Sequence, residues 1–317
     1  MLLKFINPQL ADVVTKEKYE IFAGSDWPSY DDFINRKPIY NELIEDEILK
    51  FVEDSKAAYR RHLLRQIFQR KENIQSIHTP LTFLIKLVLP GVVGTALYFY
   101  LGGTWAKLFG LFAVFYVINF LYNFSIHRWL SHFQVDPKTP IKYFLLWITT
   151  TIGCYRNISW VATHRCHHQY PDTKWDPYPA CFGPAKLIMN IHHGIHPYWA
   201  QLDSLGDAAL DFVDRHYFKL YFLNLVVFAL IDIDIVLLSF AFLRLYTFVI
   251  HGYSSWEFHQ GKLDGVPDNI PIYFEFLFGG DALHKEHHDN PKKFNCSIPG
   301  RIDPAYYLMR WISKNPR

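Results

Sequence analysis

Three short clusters of histidine punctuate the chain: His127 and His132 in HRWLSH, His164, His167 and His168 in HRCHH, and His284, His287 and His288 in HKEHH. A lone histidine beside an apolar run is ordinarily a satisfied core residue, but three grouped sets in one chain point to metal ligation. Eight imidazoles are too many for one zinc and suit two irons. Imidazole binds divalent iron well, and a donor set with almost no carboxylate leaves the metals electron-poor enough to take up and activate oxygen. The chemistry implied is oxidative.

Spacing says how the ligands converge. On a helix His164 lies about 60° from His167 and about 40° from His168, so all three project from one face, and HKEHH repeats the arrangement. His127 and His132 are about 140° apart on a regular helix, so they serve different metals or sit where the helix bends. Cys166 lies inside the second cluster and reads as a neighbour rather than a thiolate ligand.

The elements that position these clusters are apolar. Of 317 residues, 50% are hydrophobic and 18% aromatic, a composition suited to a membrane protein with parts outside the bilayer. Net charge of +2 argues against a nucleic-acid partner. Cys154, Cys166, Cys181 and Cys296 show no paired spacing, so a reducing compartment is expected. Apolar spans run over about 81–101, 105–124, 217–231 and 233–250. A crossing helix needs about 20 residues; the first two spans qualify, and the last two are short, with Asp232 and Asp234 marking a tight turn at the far membrane face. Residues 141–152 are apolar but too short to cross, and are expected in the interface.

Arg60, Arg61, Arg65, Arg70 and Lys71 precede the first span, whereas the first outside loop is the minimal GGTWAK. The N-terminus is therefore expected in the cytosol, and two hairpins would return every histidine cluster and the C-terminus to that side. Residues 1–79 are polar, with no secretory signal, and are expected to form a cytosolic N-terminal region; Leu63, Leu64, Ile67 and Phe68 would give its last part a membrane-surface or packing face. Residues 313–317 form a short tail. His192, His193 and His196 in NIHHGIHPYW imitate a further cluster but read as structural or interfacial, as do the isolated His62, His78 and His216.

The order HRWLSH, HRCHHQYPDTKWDP, HKEHH, interleaved with apolar spans, resembles the membrane fatty acid desaturases, most closely the delta-9 acyl-CoA and acyl-lipid branch. The resemblance covers about residues 80–312, and Asp172, Thr173, Asp176 and Pro177 carry it beyond the histidines. It implies an all-α integral membrane fold, with four transmembrane helices in two hairpins and a cytosolic helical domain holding a di-iron site. It also implies two non-haem irons, O2 as co-substrate, a fatty acyl-CoA or acyl-lipid substrate, and cytochrome b5 or ferredoxin as a separate electron donor. A cis double bond, at the ninth carbon by branch resemblance, would be the product.

In that family a ninth histidine, at the cytosolic end of the fourth membrane helix, completes the ligand set within Asn-Ser-x-x-His followed by Gly. Here the segment is TFVIHGYSSWEFHQG. His259 with Gly261 fits best, placing Ser255 where the asparagine would stand; His251 is the rival, because a gap-free count back from the third cluster puts it at the asparagine position. Asp172 and Asp176 could hold ligating imidazoles in the right tautomer, and Trp129, Trp160 and Trp175 could line a substrate tunnel. Two departures mark a divergent member. Gly280, Asp281, Ala282 and Leu283 stand where the family commonly has Gly-Glu-Gly and an aromatic, and CYRNISWVAT replaces a glycine-rich approach to the second cluster.

Two competing readings remain from the sequence: a hydroxylase on the same scaffold, and a membrane protein that stores or passes metal. The second would place histidines within the spans, whereas all three clusters flank them. The soluble ferritin-like desaturase is excluded, since no Glu-x-x-His pair occurs.

Overall fold

The computed structural model describes residues 80–169, 171–172, 176–180, 183–189, 207–259, 267–271 and 281–315. The N-terminal region 1–79, Trp175, Gly261 and the cluster His192, His193 and His196 lie outside the described residues. Among the described residues the regular structure is helical, and β-pairing is limited to two isolated bridges, Pro137 with Ser313 and Ile298 with Arg301.

Three helices are long and apolar enough to cross a membrane: α1 (Pro80–Tyr100), α2 (Trp105–Ser131) and α8 (Ile233–His259). The fourth apolar helix, α7 (Tyr217–Ile231), has 15 residues and falls short of the roughly 20 a straight crossing needs. The shorter helices among the described residues are α3 (Thr139–Ile148), α4 (Asn157–Gln169), α5 (Pro184–Ile188), α6 (Ala208–Arg215), α9 (His284–Asp289) and α10 (Pro304–Ile312).

Helices α1 and α2 are joined by a turn at Gly102, where φ of 92° suits glycine, and Thr104 starts α2 by accepting from the Lys107 amide. Asp232 does the same for α8, accepting from the Asp234 amide. The Lys107 ammonium reaches both carboxylates, 2.7 Å from Asp232, so the two turns lie side by side at one end of the helices. The aspartates expected to mark the far turn thus also fasten the hairpins together.

Along the hairpins, Gly94 lies against α8 so closely that a Cβ would come within 2.2 Å of the Leu237 carbonyl oxygen; small residues are what let apolar helices approach backbone to backbone. Asn119 of α2 donates to the Phe242 carbonyl at 3.0 Å and receives the Thr247 hydroxyl. These bonds cross to the widened part of α8, where residues Phe240–Leu245 are π-helical and leave carbonyls without their regular partner.

Two of the hydrophobic cores among the described residues position the site. One joins the long helices through Leu87, Phe115, Tyr122, Leu238, Leu243 and Phe248. The other gathers Phe124 and Trp129 with Leu145, Ile158, Leu210 and Met309, so that α3, α4, α6 and α10 form a layer under the end of α2 that carries the first cluster. Helix α3 exposes Tyr143, Phe144 and Trp147, and the Trp147 indole donates to Asn224 midway along α7 at 2.9 Å.

Two of the long helices run further than their apolar stretches. α2 continues from Phe124 to Ser131 as a π-helical segment, and α8 continues to His259. The first cluster and the end of TFVIHGYSSWEFH therefore sit on the same rigid rods as the apolar spans.

Candidate metal centre

Nine imidazoles converge in two groups at the end of the molecule opposite the hairpin turns. His127, His132, His164, His168 and His287 form one group, and His167, His259, His284 and His288 the other, the potential donor atoms in each lying within 4.8 Å of one another.

Local backbone explains how each is aimed. His127 and His132 are five apart, and the π-helical turn between them, with its i→i+5 periodicity, brings such residues onto nearly one face. Both therefore face one group of donors from a distorted helix. In α4, His164 and His168 face the five-imidazole group while His167 faces the other; in α9 the pattern is inverted, His284 and His288 serving the four-imidazole group and His287 the five. An i, i+4 pair shares a column and the i+3 residue flanks it, so two short helices facing each other supply both groups at once.

In the five-imidazole group the Nε2 atoms are the ones that meet. His127 to His287 is 2.8 Å, His132 to His164 2.9 Å, His164 to His168 3.0 Å, and His287 to His132 and to His168 3.2 Å. With metal–nitrogen bonds of about 2.1 Å, adjacent ligands of a six-coordinate ion stand about 3.0 Å apart and those of a tetrahedral ion about 3.4 Å. The spacing and the number of donors fit an ion of higher coordination than structural zinc, and imidazole donors suit iron. In the second group, His259 Nε2 and His288 Nε2 are buried without a hydrogen-bond partner. Such atoms are rare unless something completes them, and a metal would. The His168 and His288 rings stack at 4.0 Å, joining the groups.

The far nitrogens are held by other side chains. Asp281 meets His127 Nδ1 at 2.8 Å, Asp176 meets His167 Nδ1 at 2.7 Å, Asp172 meets His259 Nδ1, and the Tyr178 hydroxyl meets His164 Nδ1 at 2.9 Å. Partners of this kind fix ring orientation and tautomer, leaving Nε2 free to bind metal. Asp172 is set by its backbone: φ of 54° is a left-handed conformation that aspartate tolerates better than most residues. In that turn its amide donates to Asp176 at 2.7 Å and its own carboxylate receives the Ala180 amide at 3.0 Å.

Protonation follows burial. Desolvation, then the mutual repulsion of neighbouring imidazolium charges, hold His132, His164, His168, His284, His287 and His288 well below the usual histidine range. Neutral imidazole is the metal-binding form. Burial also opposes charge on His167, but the charge and hydrogen bond of Asp176 outweigh it and raise that histidine. Burial would raise the Asp281 carboxyl, yet His127, Arg128 and Asn123 bring it below the usual carboxylate range.

A cavity adjoins both groups, walled by Asn123, Trp160, Tyr178, His251, Ser254 and Phe258 among others. His251 lies two turns before His259 on α8, between the rings of Tyr122 and Tyr155 and near Trp160; it borders the cavity and belongs to neither group. The Ser255 hydroxyl donates back to the His251 carbonyl at 2.8 Å. Trp160 stacks on His164, whereas Trp129 is packed in the core. Cys166 is buried but outside both donor sets.

Asp281, Tyr178 and Gln134, which lies 3.3 Å from His287 Nδ1, were not identified as site residues from sequence. Asp281 stood out only as a departure before the third cluster, and Tyr178 carried a signal only in standing two residues after Asp176.

No family model matches the chain. It is 25% identical over 218 residues to the Delta(9)-fatty-acid desaturase fat-6 of Caenorhabditis elegans, covering 61% of this chain and 63% of that protein. Over 90 residues it is 41% identical to the (11Z)-hexadec-11-enoyl-CoA conjugase of Bombyx mori, 26% of each chain. Over 76 residues it is 36% identical to Delta-9 acyl-lipid desaturase 2 of Arabidopsis thaliana, 24% of each. The chain thus spans less than two thirds of the length of the curated relatives it matches. Over these stretches it is similar to proteins named as fatty acid desaturases.

Proposed function

We propose that the chain is an integral membrane desaturase that introduces a cis double bond into a fatty acyl chain at a di-iron centre. The observation that carries this reading is the convergence of nine imidazoles in groups of five and four, with carboxylates behind them and a cavity beside them. His127, His132, His164, His168 and His287 would hold one iron, and His167, His259, His284 and His288 the other. Asp172, Asp176 and Asp281 orient imidazoles. Such a pair of irons would supply oxygen activation: with O2, two electrons from a reductant and two protons from solvent, two hydrogens leave neighbouring methylenes and both oxygen atoms leave as water.

The chain's own part is placement and exclusion. Neighbouring methylenes are chemically alike, so selection of one carbon pair must come from position. Trp160 and Phe258 offer apolar walls on the cavity, and Asn123 and Ser254 polar points beside them. The names of the nematode and plant relatives support the ninth carbon, and the plant and insect names support an acyl-lipid or acyl-CoA as substrate. Cytochrome b5 or ferredoxin would deliver the electrons.

In this reading α1, α2, α7 and α8 are four spans in two hairpins, and residues 80–312 form the catalytic domain. The turns clamped by Lys107 face outward, and the metal centre and both termini face the cytosol. Helix α7 is about 22 Å long against a hydrocarbon core of about 30 Å; α3, bonded to its middle through Trp147, would cover the difference at the cytosolic interface.

The test is expression in a host that makes saturated and monounsaturated chains, with a compatible reductant, followed by gas chromatography and mass spectrometry of derivatised fatty acids. An added cis double bond supports the reading. A hydroxylated chain as main product would overturn desaturation, and a bond elsewhere would overturn only the position.

A further inference from the structure

Between the two histidines of the first cluster lies an arginine buried to 1% exposure. A guanidinium cannot shed its charge, so it must be satisfied where it lies. Arg128 Nη2 donates to both oxygens of Asp303, at 3.1 Å each, and Nη1 donates to Gln134 Oε1 at 3.0 Å and to Cys296 Sγ at 3.3 Å. Its Nε stands 3.3 Å from Asp281 Oδ1, an ion-pair contact. Asp303 is itself fully buried, receives the Cys296 amide at 3.1 Å and caps α10 through the Ala305 amide at 3.0 Å.

Two arms lead from this arginine to metal-facing rings. Asp281 passes from Arg128 to His127 Nδ1. Gln134, whose amide is pinned by Arg128 on its oxygen and by the Pro291 carbonyl on its nitrogen at 2.7 Å, abuts His287 Nδ1. Both rings belong to the five-imidazole group. The second group has its own supports, Asp172 at His259 and Asp176 at His167.

We propose that Arg128 is a positioning residue for the five-imidazole half of the centre alone, tying His127 and His287 through Asp281 and Gln134 to the Asp303 carboxylate of the C-terminal segment. The inference rests on the two-metal reading of the site. The planar fork matters: Asp281, Gln134, Cys296 and Asp303 are held at once in different directions, which an ammonium at the end of a flexible stem does not reproduce. Segment 296–303 is thereby part of the metal centre although it contributes no ligand.

The test is titration of Co2+ into the metal-stripped full-length protein in detergent against a competing chelator, resolving two binding steps. Two variants are compared with the parent: Arg128→Lys, and Arg128→Met with Asp303→Asn, which removes the buried pair together while leaving an oxygen to cap α10. Helix content and melting temperature are followed in parallel. In both variants one binding step should weaken about 10- to 100-fold, the range typical when a ligand's supporting partner is lost, while the other step is unchanged. Asp172→Asn should weaken the opposite step. The inference is overturned if folded variants bind both ions as the parent does, or if both steps weaken equally. A parent that takes up fewer than two ions would instead overturn the two-metal reading.

Discussion

At the residue scale the centre is an exercise in aiming nitrogen atoms. The clusters were legible because their spacing is local: an i, i+3, i+4 set of histidines shares a helix face whatever the rest of the chain does. The supports were legible only in part. Asp176 stands nine residues from His167, the ring it holds, and Asp172, in the same turn, reaches His259 across 87 positions. Asp281 and Gln134 meet His127 and His287 across 154 and 153 positions, and no periodicity reports contacts of that range. His259→Ala should lower bound iron and activity, since it removes one of four donors in its group and leaves Asp172 buried without its partner. His251→Ala should keep the iron, because that ring borders the cavity only. Iron analysis of the two purified variants decides, and loss in His251→Ala with retention in His259→Ala would reverse the assignment. Asp172→Asn and Asp176→Asn should each weaken metal binding about 10- to 100-fold, measured by chelator competition; unchanged affinity would deny the carboxylates a role in aiming the rings.

At the scale of elements, hydropathy located four apolar stretches but not where the helices end. Apolar character fades after Phe124 and Ile250, while the backbone hydrogen bonding runs on to Ser131 and His259. The π-helical segments were not readable either, beyond the awkward five-residue spacing of His127 and His132, because they depend on tertiary partners such as the Asn119 side chain at the Phe242 carbonyl. Close helix contact makes one further expectation. Gly94→Ala would place a methyl group 2.2 Å from the Leu237 carbonyl oxygen, forcing α1 and α8 apart at a cost of about 1–3 kcal/mol. Thermal unfolding in detergent should show a lower melting temperature, and a melting curve identical to the parent would contradict the tight packing of the two helices.

At the scale of the whole molecule, two cores divide the labour. One binds the long helices together; the other packs α3, α4, α6 and α10 against the end of α2 that carries the first cluster. Composition and motif order pointed to this division, but the way α10 and the C-terminal segment lock onto the first cluster through Arg128 did not follow from either. Because the cavity adjoins both imidazole groups, narrowing it should alter product without removing metal. Ser254→Phe should cut desaturated product at least tenfold with iron content unchanged; equal product would place the acyl chain elsewhere. The central claim is that two groups of imidazoles hold two irons. Iron and zinc quantified per chain, in protein purified after expression in iron-replete medium, test it most directly. The expected result is about two irons per chain, from a donor set that exceeds what one ion accepts; one zinc per chain with no iron would contradict it.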